Sequence, residues 1–370
     1  MNFKIPVIHN SKCSRQRHAT SRSTTLLAVA SLALAACGSS TSSSATKTTA
    51  QSGIAYFKGK TITFIAPDAP GGQDDAIMRI AAAGMGKYLH CNVKVSNVPQ
   101  GNTMPGQDEA AASSPNGLTI GYLNLGSDLD AKLKGKPGVN FNIDAVKFLG
   151  STPAPLNVMV SSPSSPYKTI EDVLNSTSTV NILEPTSGSA TFSIGILIAA
   201  YKANAKIVTG YANAAALVQG LIRGDGPVTD TAEKVLISAI SSGKALPILQ
   251  MGPADTNPAS PIHNQLKNVP TLQQLYKKLP PKTASGKQTL QALITYRTVP
   301  QQWLFVPSKT PASVVATLQA AMKATFTGST ATKQLEKQGL TIGYVSGKVG
   351  LKDVKLMQSA IPIIEKFQKG

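Results

Sequence analysis

The sequence is short of cysteine, histidine, aromatic rings and acid, and each shortage removes a class of function. Three cysteines occur in 370 residues, and Cys13 and Cys37 fall in or at the end of an N-terminal leader. Only Cys91 is left for the processed chain, so no intramolecular disulfide is available and stability has to come from a core. Cys91 lies between Leu89 and Val93 and reads as a small buried hydrophobe. Beyond residue 36 only His90 and His263 remain, and neither joins a Cys/His/Asp/Glu group with metal-ligand spacing. His90 reads as a helix-end residue and His263 as a loop residue after Pro261. There is no Gly-x-Ser-x-Gly elbow, no Walker sequence and no Gly-x-Gly-x-x-Gly after a strand, so hydrolase and nucleotide chemistry lack their usual anchors. Ser187-Gly188-Ser189 imitates a nucleophile turn, but no base accompanies it in sequence. Aromatics are 5% of the chain and are not grouped with basic residues, which argues against a nucleic-acid surface.

Acids are outnumbered by bases, 18 to 36, giving a net charge of +18. Part of that excess is an address. Lys4, Lys12, Arg15, Arg17 and Arg22 form a leader without one acid, and the apolar run 26–36 follows. That run is too short to span a bilayer and has the length of a signal core. It ends Leu34-Ala35-Ala36-Cys37, which resembles the bacterial lipobox and makes Cys37 the lipidated first residue of the mature protein. The tract from Gly38 to Ser52 is almost wholly Ser, Thr, Ala and Gly, a flexible tether suited to a lipid-anchored domain. Loss of residues 1–36 lowers the net charge to +13. A mature chain so basic attracts anionic solutes or polymers, although a generic solubilising surface has the same composition.

The rest of the chain is long enough for two ordinary domains. Lys60 to Ala66 alternates as a strand should, Pro67 to Gly72 is a tight turn, and Asp74 and Asp75 occupy the first turn of a helix. Gly71 and Gly72 leave the backbone N–H groups of that turn unhindered, which suits an anion. Strands then recur at Asn92–Ser96, Leu118–Leu123 and Leu156–Val160, with helices between, and this alternation implies a parallel sheet. A second alternating unit runs from Tyr167 to Gln250, with its own small-residue turn at Pro185 to Thr191. Lys282 to Gly286 reads as a polar loop, Trp303–Val306 as a strand, and Ala312–Phe326, Ala331–Gln338 and Leu351–Phe367 as helices. The two turns would face one another across a cleft, since ligands of open α/β sheets bind beyond the carboxyl ends of the strands. Asp68, Asp74 and Asp75 could ligate Mg²⁺ or Ca²⁺, but helix capping and dipole interaction account for them without a metal.

Several ordered segments resemble one family. Ile65-Ala66-Pro67 through Pro70-Gly71-Gly72 with Asp75 and Arg79 is the first, and Asn97-x-Pro99, Gly106 and Pro115-x-Gly117-x-Thr119 follow. Pro155-Leu156-Asn157, Ser165-Pro166-Tyr167-Lys168-Thr169, Gly188-Ser189-x-Thr191-x-x-x-Gly195, and Val208 with Tyr211 and Ala214-Ala215 come next. Asn268-Val269-Pro270-Thr271-Leu272 and Phe305-Val306-Pro307-x-x-Thr310-Pro311 complete the set. In this order they resemble the substrate-binding proteins of the tripartite tricarboxylate transporters (TctC or Bug family), over roughly residues 58–367.

The resemblance implies an α/β, two-domain periplasmic-binding-protein fold of the type II, Venus-flytrap kind, with a cleft between the domains. It implies a lipid-anchored, extracytoplasmic monomer that delivers a small organic carboxylate to integral-membrane permease subunits, and neither an enzyme nor a cofactor protein. A ligand-presenting receptor for a sensor kinase is the alternative within the binding class, and a secreted hydrolase is a more distant one. The expected division is signal peptide 1–36, lipidated cysteine and linker 37–53, domain one 54–153 plus 300–370, and domain two 154–299. Carried over by position, the ligand residues are Pro70, Gly71, Gly72 and Asp75 in the first domain and Ser189, Thr191 and Tyr211 in the second. Departures from the family pattern are Asp68, Asp74, Ala190, Phe192, Ala212 and Asn213. The added acids point to a ligand with an amino or other cationic group beside its carboxylate. Hinges are expected in the extended crossings 151–160 and 300–307, with Trp303 near the rim of the cleft.

Overall fold

The structure is a computed structural model that describes residues 53–366, apart from 68, 72, 99–103, 134–141, 186–188, 259, 339–340 and 342. The expected signal peptide, Cys37 and the tether therefore lie outside the described residues. None of the described helices is long and apolar enough to cross a membrane.

Eleven strands among these residues form two sheets. They are β1 (Thr61–Ala66), β2 (Asn92–Asn97), β3 (Thr119–Asn124), β4 (Lys147–Ser151), β5 (Asn157–Ser161), β6 (Val180–Pro185), β7 (Ala205–Tyr211), β8 (Val228–Ala232), β9 (Leu246–Gln250), β10 (Gln302–Val306) and β11 (Val345–Ser346). The sheet orders are β11-β4-β10-β3-β1-β2 and β7-β6-β8-β5-β9. The two orders repeat one plan. A first strand, β1 or β6, is flanked by parallel partners, β2 and β3 or β7 and β8. Beside the third strand runs an antiparallel one, β10 or β5, which also pairs with the fourth.

The sheets are thus mixed, where the alternation of strands and helices predicts parallel ones. The reason is topological. Each half receives its antiparallel strand from chain that has just crossed from the other half. The expected hinge segments are accordingly mostly sheet. Asn157–Ser161 and Gln302–Val306 lie within the sheets, and residues 152–156 and 299–301 link them.

Burial follows the pleat. On β10, Leu304 and Val306 face a core with Ile62, Phe64 and Met78, while Trp303 and Phe305 face another with Leu125, Phe148 and Met357. On β5, Met159 faces a core with Ile182 and Leu293, and Val158 and Val160 face one with Leu236 and Ile240. Both sheets are therefore covered by helices on both faces. The helix Gln73–Leu89 approaches Ala312–Phe326 closely at Gly84, where a Cβ would lie 2.2 Å from the Thr325 side chain.

The helix Gly350–Lys366 supplies Val354, Met357 and Ile361 to the first half and Ala360 and Ile364 to the second. Its partner in the second half is the helix Ala284–Thr298, where sequence patterning leads only to a polar loop at 282–286. Thr283 caps that helix by accepting from the Gly286 N–H at 3.0 Å.

Two residues differ from their expected settings. Cys91 is half-buried rather than buried, because it follows the helix on an edge of the first core. Trp303 is fully buried, with its ring edge-on to Phe148 at 5.2 Å and its Nε1–H donating to the Pro300 carbonyl at 2.9 Å. It belongs to the core and not to a rim, because β10 is an interior strand. Its native emission should be blue-shifted and poorly quenched by iodide, and Trp303→Ala should cost about 3–5 kcal/mol. Free quenching in the native protein would contradict this placement.

Candidate functional site

In each half the chain leaves the first strand, adds the second on one side and the third on the other. This places a topological switch point between β1 and β3, and another between β6 and β8. Ligand sites of open α/β sheets form outside the carboxyl ends of strands at such points. Both turns singled out in the sequence start there. One joins β1 to the helix Gln73–Leu89 and the other joins β6 to the helix Ser189–Tyr201.

The first turn is held by Asp75, whose side chain is 2% exposed. Its Oδ2 accepts from the Gly71 N–H at 2.9 Å and from Arg79 Nε at 2.8 Å. Its Oδ1 accepts from Asn97 Nδ2 at 2.7 Å, and Arg79 Nη2 donates to Asn97 Oδ1 at 3.1 Å. Burial alone would raise the Asp75 carboxyl, but the bonds from Arg79, Gly71 and Asn97, with the Arg79 charge, hold it below its ordinary value. Gly71 has a φ of 91°, and an added Cβ would meet nothing within 4 Å, so backbone conformation rather than space calls for glycine. Pro70 and Gly71 are exposed, while Gly72 and Asp68 lie outside the described residues. Asp75 is thus the brace of this turn, with both oxygens engaged inside the protein.

Asp74, counted from sequence as a charge near the ligand, is 8% exposed, and Tyr122 Oη donates to its Oδ1 at 2.5 Å. Tyr122 stands near the carboxyl end of β3, so this pair fills the first switch point. Beside it, Asp128 Oδ2 accepts from the Asn124 N–H at 2.7 Å and Gln107 Nε2 at 2.6 Å. Gln301, in the second crossing, accepts from the Gly126 N–H at 2.9 Å and its own carbonyl accepts from the Leu125 N–H at 2.7 Å. The helix Leu125–Leu133 is therefore anchored to the crossing, with Asp128 inside its first turn.

In the second half, Ser189 and Thr191 lie in the first turn of the helix Ser189–Tyr201, and their side chains are outside the description. Pro185 pairs with Tyr211, which brings the Tyr211 backbone beside the turn. The Tyr211 hydroxyl donates to Asp225 Oδ2 at 3.2 Å, a carboxylate that also takes Arg223 Nη2 at 2.6 Å. Asn213 caps the helix Ala214–Arg223 by accepting from the Ala216 N–H at 2.9 Å.

The switch point itself holds residues that the sequence reading passed over. Ile182 pairs with Val228 and Leu183 with Thr229, and Glu184 and Asp230 are the next residues along these two neighbouring strands. Both are fully buried. Arg297, 6% exposed, donates through Nε to the Met251 carbonyl at 2.7 Å. The available signal was an acid within each of two strand segments, since acids are seldom fully buried.

Elsewhere, His90 has a φ of 51° just past a helix end, and His263 opens a short helix with Nδ1 2.6 Å from Asp255 Oδ2. Among the described residues no group of three His, Cys, Asp or Glu could hold a metal ion.

A lowered carboxyl contributes stability that is present above its unfolded value and is lost as pH falls through the native one. Asp75→Asn should therefore lower stability at pH 7 by about 1–3 kcal/mol. The deficit should shrink as pH falls below about 4, where the unfolded carboxyl takes up its proton first and the native one follows at lower pH. Urea unfolding of both proteins at pH 7 and pH 3 tests this, and an equal deficit at both would remove the charge from the account.

No protein-family model matches the sequence, and no curated protein matches it significantly. Solved structures do match. A TctC solute-binding protein from Polaromonas aligns with 83% of this chain and 98% of its own at 18% identity, with a TM-score of 0.66. An R. palustris protein solved with adipate aligns with 84% of this chain and 96% of its own at 16% identity and a TM-score of 0.52. MatC from Rhodopseudomonas palustris, with bound malate, aligns with 82% of this chain and 99% of its own at 18% identity and a TM-score of 0.50. The chain therefore has the two-domain α/β fold of the TctC-type periplasmic solute-binding proteins.

Proposed function

We propose that this chain is a solute-binding protein of the TctC/Bug family that captures a small organic carboxylate between its two halves and hands it to the permease of a tripartite tricarboxylate-type transporter. The observation that carries this reading is the repeated strand–turn–helix at two switch points, within a fold whose neighbours were solved with malate and adipate. The Pro70-Gly71-Gly72 turn, braced by Asp75, meets one side of the ligand, and Ser189 and Thr191 with the Tyr211 segment meet the other. Proline has no N–H and the Gly71 N–H is taken by Asp75, so Pro70 and Gly71 contribute shape and the Gly72 N–H is the donor offered to the ligand. The halves correspond to 54–153 plus 300–370 and to 154–299, with the linkers at 152–156 and 299–301 as hinges. Binding that engages both turns at once favours the closed arrangement. No catalytic step is part of this reading.

The basic leader and the Leu34-Ala35-Ala36-Cys37 sequence support export, with lipid on Cys37 holding a monomer outside the cell membrane. Each buried acyl CH₂ contributes about 0.8 kcal/mol. The protein should fractionate with membranes, and Cys37→Ser should release it. A variant that stays bound as firmly would refute the anchor.

Ligand identity is tested by thermal shift and calorimetry with malate, adipate, other carboxylates and amino acids. A ligand at a hundred times its Kd should stabilise the fold by about 2.7 kcal/mol. Ser189→Ala should weaken its binding by about 1–3 kcal/mol. A panel in which no carboxylate binds would overturn the reading, and wild-type affinity in Ser189→Ala would remove Ser189 from the site.

A further inference from the structure

Six of the seven large apolar side chains exposed among the described residues are Ile54, Tyr88, Val93, Val349, Leu351 and Leu356. The topology gathers them at one edge. β1, β2 and β3 are parallel, and β10 runs against both β3 and β4, so β4 points the same way as β1. The amino ends of these strands therefore share one edge of the first sheet, opposite the edge that carries the turn at Gly71. Ile54 lies in the short helix Ile54–Phe57 that leads into β1, and Tyr88 and Val93 flank the connection from the helix Gln73–Leu89 to β2. Val349 and Leu351 stand where the last helix begins, beside the amino end of β4, since Gly350 packs on the Phe148 ring. Farther along that helix, Gln358 Nε2 donates to Asp144 Oδ1 at 3.1 Å, which keeps Leu356 near the residues that precede β4.

Single exposed apolar residues are ordinary, but a set this concentrated marks a surface that meets something. Its surroundings are basic. Lys58, Lys87 and Lys94 are exposed around the first three residues, and Lys348, Lys352 and Lys355 around the other three. The nearest acids offset little of this, because Asp353 is 8% exposed and Asp144 takes the Gln358 amide. Leu351, Lys352, Lys355 and Leu356 share the outer face of their helix, while Asp353, Val354 and Met357 are buried on the inner one. A lysine beside an exposed leucine lays its stem along apolar surface and holds its ammonium at the level of an anionic leaflet.

The chain that enters this edge identifies the occupant. Gly53 directly precedes Ile54, and Cys37 lies 16 positions earlier. A Ser- and Gly-rich chain of that length spans on the order of 20 Å. A lipid on Cys37 would therefore hold this edge close to a bilayer.

We propose that the amino-end edge of the first sheet is a docking surface for an anionic lipid bilayer. Its exposed apolar side chains enter the headgroup layer, and its lysines meet lipid phosphates. The inference rests on the anchor reading above only for what brings the edge to the membrane. In this posture the turn at Gly71 faces away from the bilayer and is open to solutes.

Vesicle sedimentation of the mature chain 37–370 carrying Cys37→Ser tests the surface without lipid on the protein, and every described residue is retained. This chain should sediment with vesicles of equal parts phosphatidylcholine and phosphatidylglycerol, less so as salt rises, and not with phosphatidylcholine alone. Lys348→Glu, Lys352→Glu and Lys355→Glu together should weaken binding by at least about tenfold. Leu351→Ser with Leu356→Ser should weaken it several-fold. Lys206→Glu, Lys244→Glu and Lys267→Glu, exposed lysines of the second half, make the same change in net charge and should leave binding near that of the parent chain. If the first triple variant does not fold, Lys58→Glu, Lys87→Glu and Lys94→Glu replaces it with the same expectation.

Equal losses in the two halves would trace binding to overall charge and overturn the proposal. So would binding to phosphatidylcholine alone, or no binding to the mixed vesicles, which would leave the edge to a protein partner. Membrane fractionation of the Cys37 chain reads the anchor separately, so failure of the anchor and failure of this surface are told apart.

Discussion

The constraint on which this structure depends is the antiparallel strand that each half takes from chain arriving across the junction. β10 lies between β3 and β4, yet it is reached only after the whole second half. β5 lies between β8 and β9 and directly follows the first crossing. The first sheet is therefore closed by a pairing between residues about 180 positions apart in the chain, as Trp303 with Leu123. Closing so long a loop costs entropy before any contact offsets it. The compensation is burial, because Trp303, Leu304, Phe305 and Val306 are all fully buried, on both faces of the sheet. Linkers at 152–156 and 299–301 are short for the same reason, since each opens directly into a fully paired strand.

This arrangement also decides what was legible in the sequence. The strand–turn–helix units at β1 and β6 were readable because everything that defines them is local: alternation, a Gly or Ser turn, and a helix start. The antiparallel strands were found as strands, but their direction was not, because direction is set by the partner and no local signal encodes a partner 180 residues away. Trp303 was misplaced as a consequence. The helix Ala284–Thr298 escaped because polar residues interrupt its apolar face, where Thr289 and Arg297 are buried among Leu290, Leu293 and Ile294. Their burial answers to the sheet and to the helix Gly350–Lys366, neither of which is near in sequence.

Of the candidate site, the turn at Gly71 was legible and the role of Asp75 only partly so. An acid in the first helical turn suggests a dipole interaction or a ligand contact. What it does here depends on Asn97, 22 residues on, and on Arg79 one helical turn away. An i,i+4 pair can be read from sequence, but a third partner from a neighbouring strand cannot. Glu184 and Asp230 carried the opposite kind of signal. Each is an acid inside a strand, which marks a residue as unusual without showing that the two strands are neighbours.

The two switch points meet the same requirement by different means, and the difference bears on how the protein would respond to a ligand. At the first, Asp74 pairs with Tyr122 and Asp75 is held by three donors, so both carboxylates are engaged inside the protein. At the second, Asp230 and Arg297 keep unpartnered buried atoms, and a network with unmet bonds stands closer in energy to its alternatives. A ligand that engages both turns gains little by rearranging the first and more by relieving the second. In the proposed reading, the braced first turn is the preformed side of the ligand site. At the second switch point Asp230 itself is desolvated, and its burial raises its carboxyl against the pull of Arg297 and Asn157.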